Sequence, residues 1–318
     1  MMNSTSWGAL RRPISKCKDL KFTNRKWQKR PRGSYGPLLF VLPSLAFYVF
    51  FVFIPVIGTV RYSLFSWDGA SPNMLFVGLQ NYVEMIEDAI FWKALVNNII
   101  WTIGTLVFAF LMGLVLAVVL MQSGIKIIAP FRVAFFIPVV LSLVVIGTIW
   151  SWMYNPEFGT INLLLNKCGL AFLARPWLGN DRTVLFALVF AGSWHYSGFC
   201  MMVFIAGLQS IDPVYYEVGV IDGATKVRMF FFVTIPLLKN TMTLLIVNVL
   251  IWSLKIFDLV FIMTGGGPYH SSEVIANYMF YVTFRIGEIG YGAALATTLA
   301  LLIGTLSFVY IRMAEKAD

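Results

Sequence analysis

Six apolar stretches of bilayer length dominate this chain, and they restrict its folding more than any other feature. They cover about residues 38–60, 94–121, 133–152, 184–207, 242–263 and 292–311. The second and sixth are unbroken. The fourth is interrupted by SWHYSGFC, and the fifth carries Lys255 and Asp258. Backbone N–H and C=O groups find no water in hydrocarbon, so stretches of this length must bond internally as helices. With 59% apolar and only 12% charged residues, a soluble enzyme, a secreted disulfide scaffold and a disordered chain are all poor fits. An all-α polytopic membrane protein with six transmembrane helices is predicted.

The formal charge of +9 sits at one end. Arg11, Arg12, Lys16, Lys18, Lys21, Arg25, Lys26, Lys29, Arg30 and Arg32 face a single acid, Asp19, before Pro37. The remaining sequence has 14 basic and 14 acidic residues (24 less 10, and 15 less 1). A tail of this kind attracts nucleic acid or anionic headgroups, and its position directly before an apolar run favours headgroups. No nucleic-acid partner is expected. Placing the N-terminus inside puts 17 basic residues on the cytoplasmic side against six outside, so both termini are expected in the cytoplasm. The first span is too long, and lacks the small-residue cleavage pattern, for a signal peptide. Residues 1–37 are therefore a cytoplasmic tail, and 38–313 a transmembrane domain that includes the cytoplasmic loop 208–240.

That loop reads LQSIDPVYYEVGVIDGATKVRMFFFVTIPLLKN. Asp212-Pro213 is a helix start, and Glu217 lies where a negative charge suits the helix dipole. Gly223 after Asp222 permits a sharp turn or close backbone contact, and Pro236 precedes the fifth span. Two short helices at the membrane surface are predicted. They are either a plain interfacial connector or a docking knob for a cytoplasmic protein that covers their apolar residues.

The segment Glu217-Val-Gly-Val-Ile-Asp-Gly-Ala224, with Val233-Thr-Ile-Pro236, resembles the EAA loop of permease subunits in binding-protein-dependent ABC importers. Glu217, Gly223 and Pro236 fall at that pattern's Glu, Gly and Pro. Val218 and Gly219 replace its two alanines, Val233 and Ile235 its Ile and Leu, and Lys239-Asn240 stands where a proline often follows. Further segments are similar to the sugar-type branch: Phe76-Val-Gly-Leu-Gln-Asn-Tyr82, Asn155-Pro-Glu-Phe-Gly-Thr-Ile-Asn162, Ala206-Gly-Leu-Gln209, Lys255-Ile-Phe-Asp258, Met263-Thr-Gly-Gly-Gly-Pro268 and Gly290-Tyr-Gly-Ala-Ala294. The series spans roughly residues 37–311.

The resemblance implies a type I importer permease fold in a prokaryotic cytoplasmic (inner) membrane. It implies a second homologous permease, two cytoplasmic ATPase subunits and an extracytoplasmic solute-binding protein. The loop would be the coupling helix, with Glu217, Asp222, Gly223, Ala224 and Pro236 its docking residues. The long basic start and TGGGP stretch are closer to the larger permease partner of maltose- or glycerol-phosphate-like systems, which favours a heterodimer. The chain itself has no GxxxxGK[ST] loop, and Gly265-Gly-Gly-Pro268 lacks the lysine-serine ending. It is expected to bind no cofactor and not to be an enzyme; ATP and Mg²⁺ would act on the partner ATPases.

A pore needs polar residues at lipid depth. Asn248, Trp252, Lys255, Phe257 and Asp258 are the candidate translocation path, with Trp252 and Phe257 offering sugar-stacking faces. Lys255 and Asp258 are spaced to pair on one helix face. They either line the pore or stabilise the helix end and its contact with the second permease. His195 has no second ligand nearby, so no metal is expected, and Gly192 and Gly198 beside it point to close helix packing. Cys17, Cys168 and Cys200 fall in three compartments, so no disulfide is expected.

The reading is the pore-forming subunit of an ATP-driven importer for a sugar or sugar-like solute. An ion-coupled secondary transporter is the alternative, and would need coupled ion sites and usually repeated halves. A membrane-embedded enzyme would need a catalytic cluster that His195 alone does not make. Monosaccharides, oligosaccharides, polyols and glycerol phosphates all remain open as substrates. The scarcity of fixed positive charge other than Lys255 favours a neutral sugar.

Overall fold

The apolar stretches fold as helices in a computed structural model that describes residues 36–122 and 129–316. The basic residues of the tail, Cys17 and Lys126 lie outside the described residues. The described residues fall into two units, one ending at Ile54 and one beginning at Pro55. In the first, α1 (Gly36–Tyr48) continues into a π-helical turn, Val49–Phe53, and all its described side chains are exposed.

The second unit follows α2 (Ile54–Tyr62) with a short hairpin, β1 (Phe65–Ser66) and β2 (Leu75–Phe76), antiparallel with Phe65 opposite Phe76. Next come α3 (Gln80–Glu87), the 34-residue α4 (Ala89–Gln122), α5 (Ala129–Val140), α6 (Leu143–Met153) and α7 (Thr160–Lys167). The chain then forms α8 (Val184–Gln209), α9 (Val214–Ile221), α10 (Lys226–Met229), a π-helical turn (Phe230–Thr234) and α11 (Ile235–Leu237). It ends with α12 (Lys239–Leu254), α13 (Asp258–Met263), α14 (Ile275–Tyr281) and α15 (Ile289–Lys316).

Four helical segments are long and apolar enough to cross a membrane: Phe40–Tyr62, Ala89–Met121, Val184–Gln209 and Ile289–Lys316. The count reaches six if each of two bent pairs is one span. The third predicted span, 133–152, is one of these. It bends by 98° between α5 and α6, where Ser142 takes an extended conformation and its hydroxyl caps α6 through the Val144 amide (3.3 Å). The fifth predicted span, 242–263, also needs correction. Its helix stops at Leu254, and the other bent pair joins Lys226–Leu237 to Lys239–Leu254 at 66°. Apolar composition continues through residues 255–263, but a continuous helix does not.

Helices α4 and α8 run parallel and form the central packing of the second unit. A Cβ on Gly113 would collide with Cys200, and one on Gly198 with the carbonyl oxygen of Phe135 in α5. Glycine lets these backbones approach where a larger side chain would hold them apart. Three apolar clusters stack along this axis. One centres on Trp101, Trp150 and Leu259, a second on Phe204, Leu238 and Leu245 beside the loop, and a third on Phe91, Tyr278 and Leu295 at the far end.

Candidate functional site

The loop 208–240 is built as two short helices, as its residues dictate. Asp212 Oδ1 accepts from the Val214 amide (3.0 Å) at the start of α9. The end of α9 is set by Gly223, whose φ of +71° lies in the left-handed region. The Gly223 amide donates to the Val220 carbonyl (3.0 Å), and the Ala224 amide to the Gly219 carbonyl (2.9 Å). This pair of bonds is the Schellman closure, which satisfies the last carbonyls of a helix. Thr225 then caps α10 by accepting from the Arg228 amide (3.3 Å).

The loop is anchored on one side and open on the other. Ile211, Thr234 and Leu238 are buried, and the Tyr216 hydroxyl lies 3.2 Å from Thr234 Oγ1, joining α9 to the π-helical turn below the fifth span. Val214, Tyr215, Val218, Val220, Ile221 and Val227 are exposed, Ile221 to 83%. Among the described residues, Glu217 and Asp222 are exposed carboxylates with no hydrogen bond or ion pair. Gly223 and Pro236 are also exposed, and Ala224 is half-buried. Of the five predicted loop residues, Glu217 lies in α9, Asp222, Gly223 and Ala224 in the turn that ends it, and Pro236 in α11. The sequence reading missed the Tyr216–Thr234 link, because nothing in spacing alone pairs residues on either side of a turn.

The candidate path residues do not form one surface. Asn248 Nδ2 donates to the Leu244 carbonyl (2.9 Å) of its own helix, at a cleft of about 400 Å³ between α12 and α15. One turn further on, Trp252 stacks on Tyr196 (4.5 Å between centroids) and lies over His195 (6.1 Å). Lys255 ends α12 and Asp258 opens α13, so the expected pair on one helix face is absent; both side chains are exposed. Phe257 stacks on Phe261 (5.2 Å) and contacts Phe280, so its ring is committed within the chain. The break at Lys255 is tied to α4: Ser253 Oγ donates to Thr102 Oγ1 (3.0 Å) and Asn98 Nδ2 to the Leu254 carbonyl (3.4 Å).

His195 is 5% exposed, and neither ring nitrogen has a partner among the described residues. No group of three potential metal ligands occurs among those residues. Cys168 and Cys200 are free thiols, one exposed and one buried.

At the far end, Lys93 Nζ donates to the Tyr269 carbonyl (2.6 Å), and Asn97 Nδ2 to the Glu273 carbonyl (2.9 Å). Asn98 Oδ1 accepts from the Ile275 amide (2.8 Å). These bonds strap the glycine-rich stretch over the first turns of α4. Beside it, Tyr278 and Tyr291 both donate to Asp88 Oδ2, at 2.6 and 2.7 Å. Partial burial raises the Asp88 pKa, but these two hydroxyls and the Ile90 amide outweigh it and hold the carboxyl below its ordinary value of 3.8.

The sequence model of the binding-protein-dependent transport system inner membrane components matches residues 109–316. A Bacillus subtilis protein described as "Probable ABC transporter permease protein YurN" is 37% identical over 277 residues, covering 87% of this chain and 94% of its own length. The sulfoquinovosyl glycerol transport system permease protein SmoG of Agrobacterium fabrum is 33% identical, covering 88% of this chain and 91% of its own. In fold, a chain of a bacterial ABC transporter that imports the acidic polysaccharide alginate superposes with a TM-score of 0.76 at 21% identity, covering 88% and 95% of the two chains.

Proposed function

The chain belongs to the family of binding-protein-dependent transport system inner membrane components, and on that premise we propose that Glu217 and its neighbours dock an ATPase that drives uptake of a sugar or sugar-like solute. The chain is a multi-pass permease subunit of a prokaryotic inner membrane, and it is not an enzyme. The ion-coupled alternative falls, because this family works with a solute-binding protein and separate ATPases. SmoG and the alginate transporter carry sugar-containing solutes, which supports a carbohydrate class here.

The observation that carries the docking is the asymmetry of the loop. Tyr216, Thr234 and Leu238 fix one side to the spans, while an apolar face flanked by the exposed Glu217 and Asp222, unpaired among the described residues, stays open. A rigid helix end delivers displacement without absorbing it. Closure of two ATPases around ATP and Mg²⁺ would move α9, and through Tyr216 the base of α12. A second permease completes the pore, beside the exposed Lys255 at the end of α12. Both termini and the loop lie on the cytoplasmic side in this arrangement.

The test is purification of the tagged chain from native membranes, followed by ATPase and uptake assays in lipid with and without Glu217→Ala. Recovery of a second permease and an ATPase is expected, with the variant losing assembly or coupled uptake. Uptake by this chain alone, without ATP hydrolysis, would overturn the reading.

A further inference from the structure

Helix α3 presents three different faces. Asn81 and Met85 are buried against the chain, and Asn81 Nδ2 donates to the carbonyls of Ser63 (2.8 Å) and Phe65 (3.0 Å). Gln80, Glu84 and Glu87 form an exposed polar face. Leu79, Val83 and Ile86 form an exposed apolar stripe with i, i+4, i+7 spacing, at 66%, 45% and 60% exposure, and Phe76 extends it into the hairpin. An eight-residue helix with one protein-facing, one water-facing and one unpartnered apolar face fits a boundary between phases.

What covers the stripe follows from α4. Trp92, Val96, Ile99, Ile103 and Val107 lie on one face of that membrane-spanning helix, and all are exposed. At 1.5 Å per residue its 34 residues reach about 50 Å, well beyond a hydrocarbon core of about 30 Å, so its first turns emerge at headgroup level. Trp92 sits in those turns, and its indole Nε1 donates to the Ile86 carbonyl (2.7 Å). The apolar face of α4 therefore runs through Trp92 directly into the stripe on α3. Tryptophan at this level, with a polar N–H and an apolar ring, is suited to the membrane–water interface. The glutamates point away from the stripe, as a water-facing side requires.

We propose that Phe76, Leu79, Val83 and Ile86 seat α3 in the membrane leaflet on the side opposite the coupling loop. Lipid, and not a protein partner, covers this face. The anchor holds Asn81, and with it the chain end of α2, at fixed depth while α12 and the loop move.

The test uses the assembled importer in nanodiscs, with Cys17→Ser and Cys168→Ser and single cysteines at Val83, Ile86, Gln80 or Glu84, each labelled with bimane. Replacing the lipid with one brominated near the headgroup should cause a marked loss of fluorescence at 83 and 86, and little at 80 and 84. The chain without an introduced cysteine sets the baseline. Equal quenching at all four positions, or protection of 83 and 86 by a second permease or a binding protein, would overturn the proposal. An importer that fails to assemble with Val83→Cys is tested through Ile86→Cys, which lies on the same stripe.

Discussion

Tyr216 and Thr234 stand 3.2 Å apart through their hydroxyls, a polar link between α9 and the π-helical turn that precedes α11. A single hydrogen bond contributes about 1 kcal/mol net, so Tyr216→Phe leaves the fold intact. Its effect is mechanical: α9 can tilt without moving α12. In proteoliposomes an importer assembled with the variant should hydrolyse ATP through its ATPase subunits but take up less solute per ATP. An unchanged ratio of uptake to hydrolysis would show that force reaches α12 by another route.

Gly223 has a φ of +71° and nothing within 4 Å of where a Cβ would stand. The cost of a side chain there is conformational and not steric, about 1–2 kcal/mol for an ordinary residue. Gly223→Val should weaken the end of α9 and reduce recovery of the ATPase with the tagged chain. Gly223→Asn should retain more of it, because asparagine visits the left-handed region readily. Equal losses in the two variants would point to contact with the ATPase, not backbone strain.

Gly198 makes the opposite case, with an ordinary helical backbone and no space. Adding a Cβ pushes α8 off the Phe135 carbonyl of α5, and overpacking of this kind costs about 1–3 kcal/mol. Gly198→Ala should lower the thermal midpoint in detergent. Gly304→Ala, in the open part of α15 with nothing within 4 Å, should leave it unchanged or raise it slightly. Intrinsic fluorescence against temperature checks both.

These positions show what the sequence carries and where it stops. Apolar runs longer than the bilayer core fix helices whatever their neighbours do, so the segments in α4, α8 and α15 are legible directly. The bend at Ser142 and the stop at Leu254 are not, because apolar residues resume on the far side of each break and the two charges after Leu254, Lys255 and Asp258, are spaced as a helix would also place them. The stop at Leu254 is held by tertiary bonds, Ser253 to Thr102 and Asn98 to Leu254, that periodicity does not record, and the bend at Ser142 carries a local cap to the Val144 amide. The loop residues Glu217, Gly223 and Pro236 are legible through ordered spacing and local cap chemistry. By contrast, Lys255 and Asp258 would share one helix face only on a continuous helix, and α12 ends at Leu254. Asp88 is not legible as a bonded site in the sequence, since its partners Tyr278 and Tyr291 lie far along the chain.

Asp88 supplies a pH prediction. Its two tyrosine donors and the Ile90 amide favour the ionised carboxylate in the folded chain, so its pKa is lower there than when unfolded. The associated stability is therefore fully present above the ordinary value of 3.8 and is lost as pH falls below it, through the folded-state pKa. Between pH 7 and 5 the thermal midpoint should show no change from this group, and below pH 4 it should fall. Asp88→Asn should be less stable than the parent at neutral pH, with the difference shrinking in acid. Tyr278→Phe should remove part of the same acid-sensitive increment, because one of two hydroxyls is lost. The check is a series of thermal midpoints against pH for the three chains. Parallel curves for the parent and Asp88→Asn down to pH 3 would mean that the tyrosines do not favour the charged form.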